Sequence, residues 1–392
     1  MRQFRWGNYL ICLAPLPLLA YLGLESYGID FRAFYLAGKA ALAGLNPYLN
    51  QIAISPAFYG PINAELAQYS GWKYPPLATY LFTGLASLPY ESAKTLFNAV
   101  SVAVATGAIC VAIHRSGRTL PPESILLAGI SFPVLTTLER GQVELLLTVA
   151  GVICATWLSR ERASAGGILL ALLSGFKIYP LLIATGLLTG PRRTLLKTGL
   201  ILAITLALLV ALTHLLCPAD WVQSFNERLH IPFDQVPGQV LPHLPAGSGV
   251  IEGTASVRSA DARVLIHSHD FVFGFGNPLL RRTTLPAALL GLAGACAALR
   301  SNRNQPPLQQ YLSVMPWINI ANPLAWTMGV CWYIPLFLYH YPRVSAKARA
   351  LLALPLILPP FLNASCYLAA ALSLVVTKLD SKPSLNQIAA TS

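Results

Sequence analysis

Charge is scarce in this sequence. Lys, Arg, Asp and Glu make up 11% of its 392 residues, whereas soluble domains carry about 25%. So little charge cannot coat a water-facing globule, which excludes an ordinary soluble fold. Strict polar/apolar alternation is also missing, so no membrane barrel is expected. The seven cysteines, Cys12, Cys110, Cys154, Cys217, Cys296, Cys331 and Cys366, include no C-x-x-C pair. That excludes a disulfide framework or a structural zinc site. Six lie in apolar stretches and read as small buried hydrophobes; Cys217, at a loop edge, is the one to check for reactivity. There is no Gly-rich phosphate loop, no nucleophile elbow, no Ser/His/Asp order, no internal repeat and no low-complexity tract. After the basic start and apolar core of MRQFRWGNYLICLAPLPLLAYLGLES, no A-x-A-like site follows. An uncleaved first helix is expected, with its N-terminus in the cytoplasm.

Apolar runs are present instead. Hydrophobic residues reach 55% and mean hydropathy is +0.57. Segments near residues 8–24, 74–88, 93–113, 124–138, 143–158, 166–190, 195–216, 285–299, 311–341 and 351–376 approach the length that crosses a bilayer, about 20 residues. Lipid offers open backbone groups no partner, so such spans are helices. The expected fold is an all-α polytopic membrane protein of about 10–12 transmembrane helices, with residues 1–392 as one integral membrane domain. Two segments are expected to break. One carries Gly175, Lys177 and Pro180 at its middle; the other carries Pro316, Pro323 and Pro335. The basic HRSGR connector and the loop before Tyr74 take consistent sides only if residues 74–88 are not a full span.

The net charge of +12 is not a nucleic-acid signature. Two long polar loops, 25–73 and 217–282, hold nine of the fifteen acids but only eight of the twenty-seven bases. The remaining bases lie mostly in short connectors such as HRSGR, SRER, PRR and YPRVSAKAR. This is the positive-inside pattern, which makes both long loops extracytoplasmic. No nucleic-acid partner is expected, since no basic-aromatic binding module is present.

The stretch GIDFRAFYLAGKAALAGLNPY, Gly28–Tyr48, places Asp30, Arg32 and Lys39 just after the first apolar segment. Phe31, Phe34, Tyr35, Gly38, Ala41, Leu42 and Leu45 recur at helical spacing, with Arg32, Lys39 and Asn46 off that face. The pattern predicts an amphipathic helix docked on the outer membrane surface, with Asp30 as its N-cap. Capping, worth about 1 kcal/mol, is one role for Asp30; a base at the lipid boundary is the other.

Other polar exceptions also carry two readings. In WKYPPLATYLF, the aromatics suit a membrane interface or a lipid- or sugar-facing rim made by Trp72, Tyr74 and Pro75. In LERGQVELLL, residues Glu139, Arg140, Gln142 and Glu144 crowd a short turn. Either an Arg–Glu pair closes a hairpin, or Arg140 faces a phosphate in a polar site. Lys177 is the most informative residue, because a charge at the bilayer centre costs roughly 2.5–3.5 kcal/mol. It snorkels to an interface, or it faces a polar cavity and neutralises an anionic ligand group. Trp326 and Trp332 either stack on a sugar or pack in lipid. The HSHD cluster, His267–Asp270, with His243 nearby, lacks well-spaced third and fourth ligands, so no metal is expected. One carboxylate among several cations at the outer leaflet fits transfer from a phosphate-headed lipid to a hydroxyl. A transporter or lipid flippase is the rival; it shares broken helices with a midplane charge, but the paired inverted halves it calls for are missing.

The order GIDFRAFYLAGKAALAGLNPY, KYPPLATYLF, GQVELLL, AGGILLALLSGFKIYPLLI, NPLAWTMGVCWYIP resembles glycosyltransferase family 87, whose members include polyprenyl-phosphate-mannose-dependent α-mannosyltransferases of the GT-C fold. The resemblance covers Gly28–Leu187 well and Asn322–Pro335 loosely. It implies an inverting membrane glycosyltransferase of the cell envelope, in a bacterial inner membrane, with its site facing outward. The donor would be a polyprenyl-phosphate-linked sugar, mannose by family expectation and arabinose as the alternative. The acceptor would be a glycolipid or glycan hydroxyl, and no cofactor or metal is expected. Asp30 matches the family's general base. Lys177 and Tyr179 match its K-x-x-P-like segment, here KIYP, and Gln142 matches its GQV motif, with Glu144 where asparagine commonly follows. Lys177, Arg140 and Arg32 would hold the donor phosphate. Gln142, Tyr179, Tyr35, Tyr74 and Trp326 would contact lipid and sugar. Trp326 is followed by Thr327 and Met328, where the family often has histidine.

Overall fold

The computed structural model describes residues 28–48, 72–116, 120–230, 284–322, 327–358 and 364–379. These residues are predominantly helical, with no strand among them. The α-helices are α1 (Ile29–Leu42), α2 (Thr83–Ala86), α3 (Tyr90–Ser116), α4 (Pro122–Gly129), α5 (Phe132–Arg140), α6 (Glu144–Ser159) and α7 (Ala163–Phe176). They continue with α8 (Arg192–Leu216), α9 (Ala219–His230), α10 (Thr284–Ser301), α11 (Pro307–Ala321), α12 (Ile334–His340), α13 (Ala346–Ile357) and α14 (Ala364–Leu379). Tighter 3-10 turns occupy Pro76–Phe82, Tyr179–Thr189, Thr327–Tyr333 and Tyr341–Arg343.

Among the described residues, α8 and the stretch Tyr90–Val111 of α3 are long and apolar enough to cross a bilayer alone. The pair α4–α5 with α6, bent by 117°, makes a third candidate. Helix α8 turns Leu196, Leu200, Ile204, Leu208 and Leu215 outward, each more than half exposed. Water would penalise such a surface and a bilayer rewards it. The remaining apolar segments differ from the expected run of single spans. Residues 74–88 fold as the 3-10 turn Pro76–Phe82 followed by the one-turn α2, too short to cross on their own. The 351–376 segment divides between α13 and α14, with Pro355 inside α13. The break at Lys177 falls as expected: Lys177 is extended, with φ −136° and ψ 127°, and Pro180 starts a tighter helix.

Helix α1 departs most from its sequence pattern. It is not a surface helix. Arg32 is 2% exposed, and the apolar residues Phe31, Phe34 and Leu36 are buried with it. Phe34 stacks on Phe82 at 4.7 Å and meets Trp72 edge-on at 6.2 Å. Trp72 is therefore core rather than rim. Nor does Asp30 cap the helix. The N-cap is Gly28, at φ 56°, a left-handed conformation that costs glycine little. The Gly28 N–H donates to the Glu139 carbonyl at 3.0 Å, and Arg32 N–H closes the first turn on the Gly28 carbonyl. The start of α1 is thus pinned to the end of α5. Residues beyond Cys217, expected as loop, begin with helix α9. Asn46 reaches it through Asp220 and Ser224, both at 3.0 Å.

Candidate functional site

The site forms where three chain breaks meet: the start of α1, the α5–α6 elbow and the break after α7. At the elbow, Gly141 takes φ 67° and ends α5. A Cβ there would lie 2.4 Å from the Cβ of Phe31, so only glycine lets α1 approach this closely. The approach brings Asp30, in the first turn of α1, onto Arg140, in the last turn of α5. A carboxylate at a helix N-terminus and a guanidinium at a C-terminus both complement their helix dipoles. Arg140 grips Asp30 at two points: Nε donates to Oδ2, and Nη2 donates to Oδ1 at 3.0 Å. Both side chains are buried.

A second buried pair faces the same region. Lys177 Nζ donates to Glu144 Oε1 at 2.7 Å, and the Tyr179 hydroxyl donates to that same oxygen at 3.2 Å. Tyr74 stands between the pairs. Its ring stacks on Phe176 at 4.8 Å and lies 5.6 Å from Lys177 Nζ. Lys177, Glu144 and Asp30 all act on it electrostatically, and its hydroxyl meets the Gln142 side chain. Burial pushes the Tyr74 hydroxyl up to about 12, so it stays a neutral donor. Gln142 Oε1 also accepts from Val143 N–H at 3.3 Å.

The predicted residues therefore divide. Asp30, Arg140, Gln142, Tyr74, Lys177 and Tyr179 converge. Arg32, two residues after Asp30 in α1, points to another side of the helix, its guanidinium 5.7 Å from the Tyr90 ring. Tyr35 faces a different neighbourhood, donating to the Leu88 carbonyl at 2.8 Å and meeting Tyr90 edge-on. Trp326 lies outside the described residues, as do His243, His267, His269 and Asp270. Trp332 neither stacks on an open surface nor faces lipid; it is fully buried against Gly151. The Arg–Glu hairpin clasp is replaced by longer reaches, from Arg140 to Asp30 and from Glu144 to Lys177. Lys177 carries its own carboxylate rather than an open charge.

The chain matches the model of glycosyltransferase family 87 across residues 72–359. The chain belongs to glycosyltransferase family 87. It is accordingly an enzyme, a glycosyltransferase, and the flippase reading is not favoured. Two curated relatives extend the likeness. One, from Mycobacterium tuberculosis, is a polyprenol-phosphate-mannose-dependent alpha-(1-2)-phosphatidylinositol pentamannoside mannosyltransferase, 25% identical over 86% of this chain and 72% of its own length. A protein of the same name from Mycolicibacterium smegmatis is 27% identical over 90% of this chain and 80% of its own length.

The matched residues of this glycosyltransferase begin after Asp30, and Arg140 ties Asp30 to them. The crowding of charge in LERGQVELLL marked Glu144 but not its pairing with Lys177, 33 positions away. Among the described residues no three His, Cys, Asp or Glu side chains come together to hold a metal. An open cleft of about 410 Å³ between the ends of α8 and α9, lined by His214, Val222, Gln223 and Glu227, shares no residue with the two ion pairs. Of the cysteines, Cys154, Cys217, Cys331 and Cys366 are buried, whereas Cys296 is exposed and Cys110 half-buried; Cys12 lies outside the described residues.

Proposed function

We propose that this glycosyltransferase moves mannose from polyprenyl-phosphate-mannose to a hydroxyl of a glycolipid acceptor at the outward face of the membrane, with inversion and with Asp30 as general base. One observation carries the residue assignment: a buried carboxylate and a buried guanidinium, 110 positions apart, meet in a two-point pair beside Lys177, Tyr74 and Gln142. The named relatives support the donor, and the phosphatidylinositol mannoside in their names supports a mannosylated lipid acceptor.

The chemistry follows from charge bookkeeping. A carboxylate offers about four lone-pair sites. Arg140 meets one site on each oxygen of Asp30, and the proposed reaction brings the acceptor hydroxyl to another. The acceptor oxygen forms a bond to the anomeric carbon, the carbon–phosphate oxygen bond breaks, and the hydroxyl proton passes to Asp30. Protonated Asp30 no longer holds Arg140 as an ion pair. At the same moment the leaving polyprenyl phosphate gains negative charge. Arg140 transfers its guanidinium fork from carboxylate to phosphate, a partner of matching geometry. Arg32 adds positive potential, and Lys177, though balanced by Glu144, keeps N–H donors for the phosphate; preorganised donors of this kind stabilise a developing anion more than water does.

The test is direct. Purified full-length protein is given polyprenyl-phosphate-mannose with and without a phosphatidylinositol mannoside. Release of polyprenyl phosphate coupled to an acceptor longer by one mannose is expected. Transfer of arabinose but not mannose overturns the donor, and movement of the lipid without release of polyprenyl phosphate overturns the enzyme.

A further inference from the structure

Glu144 holds a second carboxylate that the proposed reaction does not use. Its Oε1 is doubly occupied, by Lys177 Nζ and the Tyr179 hydroxyl. Its Oε2 is buried with no hydrogen-bond partner, and the residue as a whole is 4% exposed. A buried carboxylate oxygen without a donor is costly, and such atoms are few in folded proteins. Two more unpartnered groups lie along the same seam. Thr148 Oγ1, one turn further along α6 and on the same helix face, is buried without a partner, and so is Ser174 Oγ, one turn before Lys177. Charge and hydroxyl acceptors therefore line the place where the start of α6 faces the end of α7, next to Tyr74 and Gln142.

A sugar hydroxyl is the chemistry that satisfies this arrangement. It donates to a carboxylate, carries no charge that would disturb the Lys177 pair, and is supplied by both substrates of the reaction. Resting on the mannosyl-transfer reading, we propose that Glu144 is a substrate-binding residue whose Oε2 accepts a hydrogen bond from a sugar hydroxyl, with Lys177 and Tyr179 fixing the carboxylate through Oε1. The hydroxyl belongs either to the transferred mannosyl group or to the acceptor sugar. Glu144 is thereby a specificity-determining group, distinct from the base Asp30.

Deoxy analogues test this. Full-length wild type, Glu144→Gln and the neutral pair Glu144→Leu/Lys177→Met are assayed with donors and acceptors lacking each sugar hydroxyl in turn. In wild type, loss of the hydroxyl that meets Oε2 lowers kcat/KM by about 10- to 100-fold, the worth of a hydrogen bond to a charged group. The same loss shrinks in Glu144→Gln and disappears in the neutral pair. A penalised donor analogue assigns Oε2 to the transferred sugar, and a penalised acceptor analogue assigns it to the acceptor. A purely structural Glu144 lowers turnover of every substrate equally, so equal deoxy penalties in wild type and Glu144→Gln overturn the proposal even if the neutral pair fails to fold. Wild type that releases no polyprenyl phosphate from its donor overturns the mannosyl-transfer reading itself. Active wild type with equal penalties overturns the Glu144 role alone.

Discussion

Replacing Asp30 by asparagine separates chemistry from architecture, provided Arg140 is changed with it. Asparagine keeps the size of the side chain and one acceptor for the guanidinium, but it cannot take up a proton. Two losses then overlap. Leaving a buried charge without its counter-charge costs about 3–5 kcal/mol of stability, softened here because the Asn carbonyl still meets one of the two Arg140 donors. Losing a positioned base slows the reaction by about 100- to 10,000-fold. The double variant Asp30→Asn/Arg140→Gln removes both charges from a pair whose side chains are 2% and 5% exposed. Replacing a whole buried pair is often close to neutral for stability. The double variant is therefore expected to melt near wild type while Asp30→Asn melts lower, and both are expected to stay at or below about 1% of the wild-type transfer rate. Detergent-solubilised protein is followed by thermal unfolding and by release of polyprenyl phosphate per folded molecule. An Asp30→Asn enzyme within an order of magnitude of wild type refutes the base assignment. So does a double variant whose activity returns with its stability.

Three further outcomes are expected. Gly141→Ala forces a Cβ to 2.4 Å from Phe31 Cβ at a φ of 67°; with about 1–3 kcal/mol of backbone strain and α1 pushed off α5, melting temperature and transfer should fall together. Lys177→Met strands the buried Glu144 carboxylate at a cost of about 3–5 kcal/mol, and Lys177→Met/Glu144→Gln should recover most of that melting temperature without recovering full activity. Tyr74 lies outside the helices long enough to cross the bilayer, and burial lifts its hydroxyl from 10.0 to about 12. Its folded pKa is the higher, so its contribution to stability is present below pH 10 and lost as pH rises toward 12. Tyr74→Phe should remove that alkaline loss in pH-dependent melting and leave the pH profile of transfer below pH 10 unmoved.

Much of the site was legible because charge is so rare in this chain. Asp30, Arg140 and Lys177 stood out against apolar neighbours, and the cost of burying an ion made each worth explaining. The partners were not legible. Nothing local distinguishes Arg140 paired with Glu139 from Arg140 paired with Asp30, since the deciding contact is the close approach that Gly141 grants to Phe31. Helix α1 read as amphipathic because its polar positions lie off one face; packing then buried Arg32 and Asn46 as well and left Lys39 half-buried. Glu144 was noted in its crowded turn, but its pairing was not legible because Lys177 lies 33 positions away.

The sequence by itself determined the membrane character, the helical fold class, the break at Lys177 and the small set of buried charges. These follow from composition and short-range sterics: too little charge for water, spans that lipid permits only as helices, and proline and glycine that interrupt them. The tertiary structure decided which charges face which, that α1 is buried rather than superficial, and that two ion pairs share one neighbourhood. Those depend on contacts between residues as far apart as Asp30 and Arg140, and pairing at that range is set by packing, which no local pattern encodes.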